Sequence, residues 1–132
     1  MQKLPLNVLE KYIFTKLSDG VVKMKVYDFV PDEATYPFFS IGECALESWS
    51  SKVDWGVYVV YQITAWSDAK GMKQVNDMVD SVVEIFVGSQ TALDDNFYLN
   101  GTELVSVDVH RHENGEVRFA DVSLRFLIGQ NS

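Results

Sequence analysis

Cysteine occurs once, as Cys44, so no disulfide can form within the chain and nothing in the sequence signals an oxidising compartment. Basic residues are also scarce, with 11 Lys and Arg against 19 Asp and Glu, for a net charge of −8. Lys16, Lys23, Lys25, Lys52, Arg111, Arg118 and Arg125 are scattered and form no basic run. A protein that grips duplex phosphates needs clustered cations, so this balance argues against a DNA binder of that kind. It leaves room for a protein that DNA slides past, because a negative wall repels the backbone. No apolar run approaches the roughly 20 residues of a membrane helix. Met1 to Leu6 lead straight into polar residues, unlike a secretory signal. The expectation is synthesis and folding in the cytoplasm, away from any membrane.

Recognisable chemistry is missing as well. There is no phosphate-cradling glycine loop, dinucleotide fingerprint, zinc-type cysteine pairing or nucleophile elbow. His110 and His112 alternate on a β-prone segment and would share one face, but two ligands are too few for a closed metal site. The simpler reading makes them solvent-facing hairpin residues opposite a valine face. Cys44, between Glu43 and Glu47, lacks the electropositive setting of a reactive thiol and is expected in or near the core. The carboxylates of Asp94-Asp95 and of Glu113 and Glu116 fall on turns, where they are solvated and do not converge on a cleft. No cofactor, metal or catalytic residue is assigned.

What the chain does have is 47% hydrophobic and 13% aromatic residues over a length of 132, enough for a single folded domain. Leu6, Leu9, Ile13 and Leu17, widened by Val8 and Tyr12, predict an amphipathic helix over about residues 5–18, stopped by Asp19-Gly20. Residues 22–30 are β-prone and end at Pro31-Asp32-Glu33. A strand is expected over about 38–47, with Phe39, Ile41 and Glu43 on one face and Phe38, Ser40 and Gly42 on the other. The clearest strand alternates Val57, Val59, Tyr61, Ile63 and Ala65 with Tyr58, Val60, Gln62, Thr64 and Trp66. Its second face is only half polar, which suggests partial cover there too.

Ser67 or Asp68 is placed to cap a second helix over about 69–87, whose stripe is Met72, Val75, Val79, Val82 and Phe86. That stripe is expected to pack on the strand face carrying Val59, Tyr61 and Ile63. Residues 88–101 read as loop. Two last strands follow, around Val105, Val107 and Val109 and around Val122, Leu124, Phe126 and Ile128, joined through the hairpin signal Asn114-Gly115. The order is α-β-β-β-α-β-β. It predicts an α+β fold in which a mainly antiparallel sheet of four to five strands carries both helices on one face.

Trp49, Trp55, Phe97 and Tyr98 fall outside these core patterns. Loop aromatics are covered either by the chain's own packing or by a partner, and aromatic residues are enriched at interfaces. These four are the candidate interface residues.

The order of these pieces resembles a known family. A helix reading Leu9-Glu10-Lys11-Tyr12-Ile13-Phe14-Thr15-Lys16-Leu17 leads through a β-prone segment to Tyr36-Pro37-Phe38-Phe39-Ser40-Ile41-Gly42. The strand Tyr61-Gln62-Ile63-Thr64-Ala65-Trp66-Ser67 then runs straight into a helix holding Val75 to Val83. Val105-Ser106-Val107 and a hairpin ending in Ser123-Leu124-Arg125-Phe126 close the pattern. Over about residues 4–128 the chain resembles the tail-completion, or tail-to-head joining, proteins of siphophages and related prophages, which are similar in organisation to phage tail terminators.

The resemblance implies a structural virion protein without catalytic residues. It implies self-assembly into a ring, typically a hexamer, that caps the tail tube. The ring would meet the major tail protein on one side and the head connector or stopper on the other, with DNA passing through unbound. Two other readings remain open. One is a small-molecule-binding or enzymatic α+β domain, for which the half-apolar face of residues 57–66 is the only candidate wall. The other is a different neck component, such as a head-completion protein.

Overall fold

The computed structural model describes residues 4–21, 24–48, 56–111 and 115–130. Trp49, Trp55 and His112 lie outside the described residues. The elements are α1 (Leu6–Gly20), β1 (Lys25–Tyr27), β2 (Phe38–Ser48), β3 (Gly56–Ser67), α2 (Lys73–Phe86), β4 (Thr91–Ala92), β5 (Phe97–Arg111) and β6 (Arg118–Gln130). Among the described residues the strands form one sheet of six, ordered β1-β2-β3-β6-β5-β4.

Both helices and the antiparallel centre of the sheet agree with the sequence reading, while the strand count and one pairing direction correct it. The sheet has six strands instead of four to five, and β1 runs parallel to β2. Of the β-prone residues 22–30, Lys25 to Tyr27 pair, against Phe38 to Ser40, and no other described residue of that stretch does; residues 22–23 lie outside the described residues. Phe29 already stands 82% exposed on the way to the turn at Asp32-Glu33.

The second added strand comes from residues expected to be loop. The Asp94 carboxylate accepts the N–H groups of Asn96 at 2.8 Å and Phe97 at 2.9 Å. This local turn folds Thr91 and Ala92 back to pair with Leu99 and Tyr98. β5 therefore starts at Phe97, and the polar run Asp94-Asp95-Asn96 is a tight turn within the fold.

One core fills the space between helices and sheet. Leu9, Ile13 and Leu17 of α1 and Val75, Met78, Val79, Val82 and Phe86 of α2 are buried. They belong to one cluster with Val57, Val59, Tyr61 and Ile63 of β3 and Val122, Leu124, Phe126 and Ile128 of β6. Each such side chain contributes about 1.5–3 kcal/mol through its removal from water. The expected stripe of α2 and the expected face of β3 meet as read.

Two local expectations fail for identifiable reasons. α2 begins at Lys73, later than residue 69, and has no side-chain cap. Ser67 Oγ accepts the Ala69 N–H at 3.1 Å, which closes a turn, and Gly71 at φ 82° leaves the helical region. In β2 the pairing with β3 slips between Ile41 and Cys44, so Cys44 instead of Glu43 sits opposite Tyr61. The bulge puts Cys44 on the helix side of the sheet. It is nonetheless exposed, not near-core; among the described residues β1 pairs only with Phe38 to Ser40 and leaves the rest of the outer edge of β2 uncovered. Burial pushes the Tyr61 phenol pKa up, and the neighbouring Cys44 thiol adds to the shift.

Candidate interaction surface

The side of the sheet facing away from the helices is crossed by a row of aromatic rings. Phe38, Trp66, Phe119 and His110 lie directly opposite one another on β2, β3, β6 and β5. Alternation along each strand puts all four on the same face, since their neighbours Phe39, Ala65 and Ala120 point into the core. The centroid separations are 6.0 Å for Phe38–Trp66, 4.8 Å for Trp66–Phe119 and 4.8 Å for His110–Phe119, all stacked. Tyr27 and Tyr36 extend the row beyond Phe38, with centroids 5.6 Å and 5.2 Å from it.

Polar groups hold the row in place. Trp66 Nε1 donates to Ser40 Oγ at 2.9 Å, and Thr64 Oγ1 donates to Asp121 Oδ1 at 2.8 Å. The other Asp121 oxygen lies 3.5 Å from His110 Nε2. Farther along the same face the Arg125 guanidinium lies over the Tyr58 ring, 5.8 Å from its centroid. The partial cover expected for this face thus comes from its own long side chains. Phe38 is only 4% exposed, with the rings of Tyr27, Tyr36 and Trp66 packed around it.

The candidate interface residues divide. Phe97 is 4% exposed and belongs to the core, so its reading as a loop aromatic is corrected. Tyr98, next to it on β5, is 39% exposed and remains accessible to a neighbour. The aromatic row itself was half visible in the sequence: Phe38 and Trp66 fall on the second faces of their strands. Phe119 was missed, because only the β3–β6 pairing brings it beside Trp66.

The chemistry available is that of surfaces. Among the described residues no group of three or more His, Cys, Asp or Glu side chains is placed to hold a metal. His110 is engaged with Phe119 and Asp121. Chelators are therefore expected to leave the melting temperature unchanged; a fall that zinc reverses would restore the metal reading.

The grooves lie elsewhere. One of about 410 Å³ runs between Val21, Met24 and the start of α2, and one of about 520 Å³ lies between α1 and Leu93-Asp94. Neither is walled by the half-apolar face of β3. No described helix is long and apolar enough to cross a membrane.

Fold and surface together define a small α+β structural domain whose exposed features are sheet faces, strand edges and aromatic side chains. A family model, tail completion protein gp17, matches residues 15–129. The chain belongs to that family, which makes it a structural tail protein of a phage-like virion. Among solved structures it is similar to a chain of the virion of a native gene transfer agent particle. The TM-score is 0.70 at 20% identity, over 94% of this chain and 90% of that one. No curated protein matches the chain.

Proposed function

We propose that this protein forms a ring at the head end of the tail, completing the tube and allowing the head to join it. The observation that carries the reading is the family match across residues 15–129. The similarity in fold to a chain of the virion of a native gene transfer agent particle agrees with it. The protein acts without catalysis. Its partners are further copies of itself, typically six, the major tail protein beneath and the head connector or stopper above. The acidic surplus falls partly on the ring's inner wall, where repulsion keeps passing DNA from sticking.

Stable protein interfaces bury well over about 1,000 Å², with aromatic anchors near the centre. Trp49, Trp55 and Tyr98 are the candidate anchors, the first two on the segment joining β2 to β3. The test is Trp49→Ala combined with Trp55→Ala in a complementation assay. The expected result is folded protein with particle yield down at least tenfold and tails left unjoined to heads. Normal yields would remove both tryptophans from the interface. A particle map with no copy of this chain at the head–tail junction would remove the ring itself.

A further inference from the structure

The sheet has two long edges that its own outer strands fail to cover, and they are open at opposite ends. β1 pairs with β2 only at Phe38 to Ser40, so the outer edge of β2 is bare from Ile41 to Ser48 among the described residues. β4 pairs with β5 only at Leu99 and Tyr98. The Thr102 carbonyl accepts the Gly88 N–H at 3.0 Å, and from Glu103 to Arg111 no described segment pairs with the outer edge of β5. Register places the two bare stretches. Phe38, Trp66, Phe119 and His110 align at one end of the sheet, and Ser48, Val57, Ile128 and Leu99 at the other. β5 is bare at the first end and β2 at the second.

Bare edges of this length are templates for pairing with another chain, and proteins that remain alone guard them. The β5 edge carries charges at Glu103, Asp108 and Arg111 and a bulge after Leu104, but it also carries uncovered apolar side chains. Leu104, Val105 and Val109 are 44%, 45% and 41% exposed. Leu104 and Val109 lie opposite Leu124 and Ala120, both core residues, and so face the helix side of the sheet where neither helix covers them. The bare half of β2 offers a matching surface on that side. Leu46 packs only partly against the core, and Ile41 at the other end of the stretch borders a shallow hollow of about 370 Å³ that it shares with the 42%-exposed Phe14 and with the polar Asn7, Glu10, Lys11 and Asp28.

We infer that the bare half of β5 in one copy pairs with the bare half of β2 in the next, continuing the sheet from subunit to subunit. The proposal rests on the ring reading above and specifies its joint. Successive antiparallel pairings from β2 through β3 and β6 to β5 make β2 and β5 run in opposite directions. Copies set side by side without inversion therefore bring them together antiparallel. Because the bare stretches are at opposite ends, each copy is shifted along the strands relative to its neighbour, and β1 and β4 fall beyond the ends of the overlap. A contact between two different surfaces of the same chain is the heterologous kind that closes into a ring. Antiparallel alignment brings the Arg111 end of β5 to the Ile41 end of the β2 stretch. It also sets Val107 and Val109 beside Cys44 and Leu46 on the helix side.

Cys44 makes the joint testable. Adjacent antiparallel strands hold Cα atoms about 4.5–5.5 Å apart, within disulfide range. Val107→Cys and Val109→Cys are introduced separately into the full chain, and tails or particles assembled with each are oxidised with copper–phenanthroline. At least one variant is expected to give a non-reducing ladder of dimers and higher multimers. Adding Cys44→Ser should abolish it, and Asp108→Cys, on the opposite face, should give at least tenfold less. A ring present in the particles with no ladder from either variant would overturn the strand joint and leave the ring standing. Absence of the chain from the particles would overturn both.

Discussion

Replacing Phe86 with alanine is expected to lower the unfolding free energy by about 3–5 kcal/mol, the range for losing a fully buried aromatic side chain. Phe86 is 0% exposed, near the end of α2, and its ring meets Tyr12 of α1 at 6.2 Å and Phe126 of β6 at 6.1 Å, both edge-on. It is the point where both helices and the centre of the sheet touch. A cavity there cannot be closed by moving one element without opening a gap against another, which places the cost toward the upper part of the range. Domains of this size have only about 5–15 kcal/mol in total, so the variant should sit near the edge of folding. Denaturant titration should show a lower midpoint with an unchanged slope. A loss under about 1 kcal/mol would mean that the ring is not the shared contact described, since large-to-small core changes rarely cost so little.

The second large effect belongs to the other side of the sheet. Trp66→Ala should cost about 2–4 kcal/mol, somewhat less than a fully buried tryptophan because the indole is only half-buried. The loss has three parts: area returned to water, two stacked neighbours, and the hydrogen bond from Nε1 to Ser40 Oγ. Aromatic pairs add about 0.5–1.5 kcal/mol beyond their buried area, so a double-mutant cycle between Trp66 and Phe119 should show coupling of that size. Trp66→Phe should retain most of the stability, since it gives up the hydrogen bond, about 0.5–1.5 kcal/mol, and keeps much of the stack. Coupling below about 0.3 kcal/mol would reduce the aromatic row to side chains that are merely adjacent, as expected of independent sites.

The elements that show a single periodicity were legible in the sequence. The alternation from Val57 to Trp66 gives β3 nearly to the residue, and Leu9, Ile13 and Leu17 give the buried stripe of α1. What stayed hidden depends on partners distant in sequence or on backbone detail. The short β1 and β4 exist as strands only because β2 and β5 lie beside them. The slip after Ile41 exchanges Glu43 for Cys44 on the helix side, and an alternating pattern contains no signal for an inserted residue. Phe97 looked like a loop aromatic because Asp94-Asp95-Asn96 precede it, yet that turn is what turns Phe97 into the core.

The surface was less legible than the fold. The exposed valines of β5 were read correctly as a strand face, but alternation alone implied that the face would be covered. Only the sheet order shows that no helix reaches Leu104 and Val109, and that both uncovered edges belong to strands much longer than their outer neighbours.

The central seam of the sheet also constrains how the polypeptide reaches this state. β2 and β3 are near in sequence, as are β5 and β6, so each pair closes a short loop. β3 meets β6, however, through pairings that run from Val57 with Ile128 to Ser67 with Arg118, and the whole of α2 lies between. Contacts so distant along the chain are entropically slow to form, and they characterise domains that fold in milliseconds to seconds instead of microseconds. On a ribosome β6 emerges after every other element, and until it does, α2 has only one of its two principal strands to lie on. The nascent protein therefore passes through an interval in which the β2–β3 hairpin and the unpaired inner edge of β5 wait with apolar faces uncovered. The strand that ends the interval is the one at the centre of the finished sheet.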